Sequence, residues 1–212
     1  MPYPSHIAAA LSGASLRQLQ YWRESSLLAP EFGKPSGRLL YSFPDVVALR
    51  TFVFLRENAS LQLIRKAIGN LRELGNLDHL AEYKLISDDD RIVLADPSGE
   101  VMELTGTPGQ YRIAAAMGDV FRRFVNMQGA EVVDLRKPRR HVAVDPETHG
   151  GYPVIAGTRL QFDLVASLVE DGVAPGEIVE FYPSVSAAAA TDAVEFARLV
   201  QRFRDGGMPS AA

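Results

Sequence analysis

Two groups of side chains have the types and the spacing that chemistry needs. The first runs Ser15-Leu16-Arg17-Gln18-Leu19-Gln20-Tyr21-Trp22-Arg23. At helical spacing Leu16 and Leu19 share one face, which leaves Arg17, Gln18, Gln20 and Arg23 on a polar one. Such a face can read a duplex. Arg17, in the first turn after a Ser15 cap, can bond guanine O6 and N7 in bidentate fashion, and Gln18 can do the same to adenine. Arg23, one to two turns on, suits a phosphate, and Tyr21 and Tyr41 each have a hydroxyl to offer one while their rings pack. Trp22 belongs in a core.

The second group is His141, Asp145, Glu147 and His149, metal-ligand types within nine positions. Pro146 makes that segment a loop and its spacing fits no helix-borne zinc motif, so these read as loop residues. Asp88-Asp89-Asp90 lacks the glycine and the distant glutamate of a calcium loop and reads as a turn. Gly157-Thr158-Arg159 reads as a turn before it reads as an anion cup. No Ser-His-Asp order, phosphate-binding loop or carboxylate pair stands out, so no catalytic residue, cofactor or metal is expected. The absence of cysteine excludes disulfides, thiolate zinc sites and a cysteine nucleophile.

The elements that position the first group follow from caps and breakers. Ser5 can cap a short helix through Leu11, Gly13 supplies a tight turn, and Ser15 opens the next helix, which makes a helix-turn-helix. Pro30, Gly33, Pro35 and Gly37 break it, and Arg38 to Tyr41 reads as the return strand of a hairpin carrying Lys34 and Arg38. Ser42 with Asp45 is a capping box with Pro44 in the first turn, predicting a third helix to about Asn58. Ser60 caps a fourth, with Leu61, Ile64, Ile68 and Leu71 on one face until Gly75. Tyr83 to Ile86, Arg91 to Ala95 and Glu100 to Leu104 read as short antiparallel strands between turns. Asp119 to Asn126 reads as a short helix and Glu131 to Leu135 as an edge strand. Phe162 to Glu170, Pro175 to Phe181 and Ala187 to Arg204 show helical periodicity, and 206–212 reads as a mobile tail.

Two resemblances emerge from these residues. Ser15, Arg17, Leu19, Tyr21, Leu27-Leu28-Ala29-Pro30, Gly37, Tyr41-Ser42, Asp45 and Leu49-Arg50 follow, in order, the motif of the MerR family of winged-helix regulators. Asp145-Pro146, Gly150-Gly151-Tyr152-Pro153, Gly157-Thr158-Arg159 and Tyr182-Pro183 resemble the signature of DUF433, a small domain of unknown function. Joined in one chain, the two resemble a VapB-type antitoxin. The expected fold is therefore α+β: an N-terminal winged helix-turn-helix over 1–75, a small central antiparallel sheet over 76–140 and a C-terminal three-helix DUF433-like bundle over 141–212. The resemblance implies a repressor that binds operator DNA, autoregulates its operon and neutralises a PIN-domain ribonuclease. A MerR-type regulator that senses a small apolar ligand in the segment from Tyr83 to Val133 is the alternative. The candidate DNA-contacting residues are Ser15, Arg17, Gln18, Gln20, Tyr21, Arg23, Lys34, Arg38 and Tyr41.

The charge distribution fits this division of labour. Net charge is −4, but Met1 to Gly75 has nine basic and five acidic residues, whereas His141 to Ala212 has four basic and ten acidic. Only the first favours a polyanion, helped by the basic run Arg136, Lys137, Arg139 and Arg140; the last suits a basic protein partner. Within it, Val194, Phe196, Leu199 and Phe203 form an apolar stripe for a toxin groove or for the bundle's own core. No stretch is long and apolar enough to span a membrane and the first residues do not resemble a signal peptide, which predicts a cytoplasmic protein. A homodimer is expected, since two heads would read two half-sites.

Overall fold

The computed structural model describes residues 2–25, 27, 28, 30, 32, 33, 39–56, 60, 62–64, 84–88, 91–95, 101–103 and 120–205. The wing residues Lys34, Gly37 and Arg38, the helix end at Gly75, the turns at Asp89-Asp90 and Asp96 to Gly99, and the tail 206–212 lie outside the described residues.

Helix α1 (Ser5–Ser12) is followed by Gly13 at φ +76°, and α2 (Leu16–Glu24) begins three residues later. Gly13 suits that turn because a left-handed backbone is strained for any residue with a Cβ. The α1 start differs from expectation. Pro4, with no side-chain bond, occupies the cap position, because β1 (Tyr3–Pro4) runs directly into the helix. β1 pairs antiparallel with β3 (Leu39–Tyr41), whose other edge carries β2 (Phe32–Gly33), so the expected hairpin acquires a third strand. α3 (Phe43–Leu55) opens with the Ser42–Asp45 capping box and Pro44 in its first turn, as its sequence requires. Ser60 caps residues 62–64, its Oγ accepting the Leu63 N–H at 3.2 Å.

The central strands β4 (Lys84–Asp88), β5 (Arg91–Ala95) and β6 (Val101–Glu103) form an antiparallel sheet in that order. The helix expected over Asp119 to Asn126 differs in its described part. Among the described residues 120–126, only Val120 and Phe121 are helical; β7 (Phe124–Val125) then pairs with β8 (Glu131–Val132). Turn chemistry overrides periodicity here. Asn126 Oδ1 accepts the N–H groups of Gln128 and Ala130, and Gly129 closes the turn at φ +73°.

Beyond it, β9 (Val142–Ala143) pairs with β10 (Val154–Ile155), with a short 3-10 turn His149–Gly151 between them. Three helices follow: α4 (Phe162–Glu170), α5 (Ile178–Phe181) and α6 (Ala187–Arg204). α5 starts later than Pro175 because residues 174–177 form a turn in which Glu177 accepts the Ala174 N–H and donates its own to the Ala174 carbonyl.

The core is organised around α1. Ile7, Ala8, Ala9, Ala10, Leu11 and Ser12 are all buried, with α3 and α2 packed on the helix and α6 packed on it as well. Three consecutive alanines let neighbours approach closely from several sides. An aromatic series continues the contact across the molecule. Tyr3 stacks with Tyr152 (6.2 Å), Tyr152 with Phe162 (6.3 Å), and Phe162 meets Phe196 edge-on (4.7 Å). Gly151 makes the first of these possible, since a Cβ there would stand 2.4 Å from the Tyr3 hydroxyl oxygen. Buried residues of both ends of the chain therefore form one core.

Candidate nucleic-acid interface

α2 has the two-faced character its spacing predicts. Leu19 and Trp22 are buried, Trp22 against Phe52 at 5.3 Å between ring centroids, while Arg17, Gln20 and Tyr21 are exposed. Its first turn is fixed by a reciprocal cap. Ser15 Oγ accepts the Gln18 N–H at 3.1 Å, and Gln18 Oε1 accepts the Ser15 N–H at 2.7 Å. The acceptor oxygen of Gln18, expected to read bases, holds the backbone at the helix start. Ser15 likewise serves the helix start. Gln20 Nε2 donates to Glu24 at 2.8 Å, and half-buried Arg23 lies 3.7 Å from the same carboxylate. Arg17 is thus the exposed guanidinium of the first turn, at the positive end of the helix dipole.

Tyr41 lies away from the exposed face of α2. It is 2% exposed, its hydroxyl bonds the Ser5 side chain, and burial raises its pKa, so it belongs to the seam between sheet and helix. Lys34 and Arg38, expected on a wing, lie outside the described residues. At the far end, Val194, Phe196, Leu199 and Phe203 are all buried, at 0–6% exposure. The α6 stripe is interior. The large apolar side chains exposed in this region are Leu164, Val179 and Phe181.

Two buried polar residues tie the helix-turn-helix to the 120–135 segment. Arg50, fully buried on α3, donates from Nε to the Val120 carbonyl, from one terminal nitrogen to Leu11, and from the other to Arg122 and Val133, at 2.6 Å each. Its guanidinium also lies 5.0 Å from the Phe124 ring. Burial pushes its pKa down to about 9, opposed by Asp134, which keeps it a cation at neutral pH. Asn126 donates from Nδ2 to the Gly13 carbonyl at 3.1 Å. Neither role was foreseen, although a lone arginine inside the run Val46 to Leu55 was the available signal.

The loop histidines have structural partners. His141 Nδ1 lies 2.7 Å from Asp192 on α6, and the His141 N–H donates to the same oxygen at 2.8 Å. A His149 ring nitrogen lies 3.1 Å from the Arg159 carbonyl. Among the described residues no group of three His, Cys, Asp or Glu side chains could hold a metal, and no helix is long and apolar enough to cross a membrane. Thr158 closes its own turn, donating to the Ile155 carbonyl and accepting the Leu160 N–H.

A polar helix capped against a glycine turn, beside a three-stranded sheet, is the arrangement of a helix-turn-helix module, and residues 3–70 match the family described as MerR HTH family regulatory protein. Residues 142–197 match DUF433, a protein family of unknown function. Among full-length relatives, the uncharacterized HTH-type transcriptional regulators Rv1830 of Mycobacterium tuberculosis H37Rv and Mb1861 of Mycobacterium bovis are 34% identical over 119 residues, 54% of this chain and 52% of each relative. The chain thus spans about half the length of these relatives. In fold it is similar to the crystal structure of Rv2018 from Mycobacterium tuberculosis, with a TM-score of 0.53, 14% identity, and coverage of 92% of this chain and 98% of that one.

Proposed function

We propose that this protein is a sequence-reading DNA-binding transcription regulator acting as a repressor, with α2 as its recognition helix. The observation that carries the reading is the fixed first turn of α2, where the Ser15–Gln18 cap holds Arg17 outward on a helix whose opposite face is buried. A side chain reads bases only when its backbone is held relative to the rest of the protein. The matched MerR region and the regulator names of the relatives support the same reading. Arg17→Ala is expected to weaken binding to a duplex carrying the DNA upstream of its own gene by about 1–3 kcal/mol, with relaxed preference at one base pair. Unchanged promoter binding by this variant would refute the assignment.

The antitoxin reading extends this one. Leu164, Val179 and Phe181 are exposed on α4 and α5, elements whose sequence stretch also exposes Glu170, Asp171, Glu177 and Glu180, a composition suited to the basic face of a ribonuclease. Co-purification with the product of the neighbouring gene, abolished by Phe181→Glu, tests it. One observation favours an effector-responsive regulator as the second reading, at a place other than the expected 83–133 segment: a cleft of roughly 620 Å³ between α1, α4 and α6, lined by His6, Phe162, Glu170, Arg198 and Arg202 among others.

A further inference from the structure

The segment 120–140 carries Arg122, Arg123, Arg136, Lys137, Arg139 and Arg140 against Glu131 and Asp134, whereas 141–205 has four basic and ten acidic residues. That basic segment is held against the turn leading into α2. Asn126 donates to the Gly13 carbonyl, Val132 packs on Gly13 so closely that a Cβ there would stand 2.3 Å from its Cγ2, and Arg50 joins the Leu11 carbonyl to those of Arg122 and Val133. The β7–β8 hairpin is therefore a fixed neighbour of the N-terminal end of α2, the end that meets base edges in helix-turn-helix docking.

The hairpin is two-sided. Phe124 packs edge-on against Phe54, and Asn126 and Val132 are buried, while Arg122, Arg123, Met127 and Gln128 are exposed. The basic run further on is more engaged: Arg136 lies over the Phe121 ring at 5.2 Å and Arg139 is 3.8 Å from Glu195. We propose that the β7–β8 hairpin is a second DNA-contacting element, in which Arg122 and Arg123 grip backbone phosphates flanking the groove that α2 enters. Arg123 meets Glu131 at 2.9 Å with its side chain 66% exposed, an ion pair of the solvated kind that a phosphate displaces at little cost. The inference rests on α2 being the recognition helix.

The test is the salt dependence of DNA binding by the full chain, measured on the upstream duplex and on a shuffled duplex of the same composition. Releasing two phosphate contacts lowers the slope of log K against log salt by about 2. The Arg122→Ala/Arg123→Ala double variant is expected to show that drop on both duplexes, to recover with lysine at both positions, and to keep its melting temperature. Arg159→Ala/Arg204→Ala, which removes the same charge from exposed positions outside the cleft, is expected to leave the slope unchanged. A wild-type slope in the hairpin variant overturns the proposal, as does an equal drop in the Arg159→Ala/Arg204→Ala variant. A wild-type protein that does not prefer the upstream duplex, yet loses slope only in the hairpin variant, refutes the recognition-helix reading and leaves the hairpin contact standing.

Discussion

Replacing Gly13 with alanine tests how the helix-turn-helix is mounted. Two effects add. At φ +76° an L-residue carries a left-handed backbone cost of about 1–2 kcal/mol. The new methyl would also lie 2.3 and 3.0 Å from the two Val132 methyl carbons, an overpacking that costs about 1–3 kcal/mol in a filled interior. The expected loss is therefore about 2–5 kcal/mol, read as a lower urea midpoint at constant slope. In a Val132→Ala background both offending methyls are gone and Val132 Cβ stands at 3.2 Å, so Gly13→Ala should retain only the backbone part, about 1–2 kcal/mol. The cycle isolates the contact as a coupling of about 1–3 kcal/mol. Equal costs of Gly13→Ala in the two backgrounds would show that the hairpin does not rest on this turn, and the mounting described above would be wrong.

Arg50→Met should lower stability by about 3–5 kcal/mol in the same titration, because four carbonyls, three of them in buried bonds, lose their donors; Arg50→Lys, with one ammonium in place of the fork, should fall between. Tyr41→Phe should cost about 1 kcal/mol of stability and leave the affinity for the upstream duplex unchanged, since the hydroxyl faces Ser5; loss of DNA affinity in the folded variant would restore Tyr41 as a contact. Gly151→Ala should be destabilising by more than 1 kcal/mol through its φ of +87° and its clash with the Tyr3 hydroxyl, and Tyr3→Phe should relieve part of that cost in a thermal melt.

Where local signals act alone, the chain was legible. The Ser15 cap, the Ser42–Asp45 capping box, the Gly13 turn and the ranges of α4 and α6 follow from residues within one or two turns of each other. What was missed depends on partners far away in sequence. Phe124 has helical neighbours in sequence but packs on Phe54 and beneath Arg50, and Asn126 bends the chain to reach Gly13, 113 positions earlier. Gln18 and Tyr41 have the right chemistry for DNA, yet a backbone amide and a serine hydroxyl occupy them first. The α6 stripe had two possible uses, and α1 decides between them by packing against it.

The interior position of α1 has a further consequence for how the molecule comes apart. A helix shared by two faces cannot be released by one of them, so the turn into α2 and the packing of α6 open together. In hydrogen exchange the amides of α1 should share the slowest, denaturant-sensitive class with those of α6, the mark of a single cooperative unit. Residues 3–70, although they match a regulatory family on their own, would as an isolated fragment expose the α6-facing side of α1 to water. α2 is thus borrowed property: it keeps its place only as long as the acidic end of the chain, more than a hundred residues away, stays folded against α1.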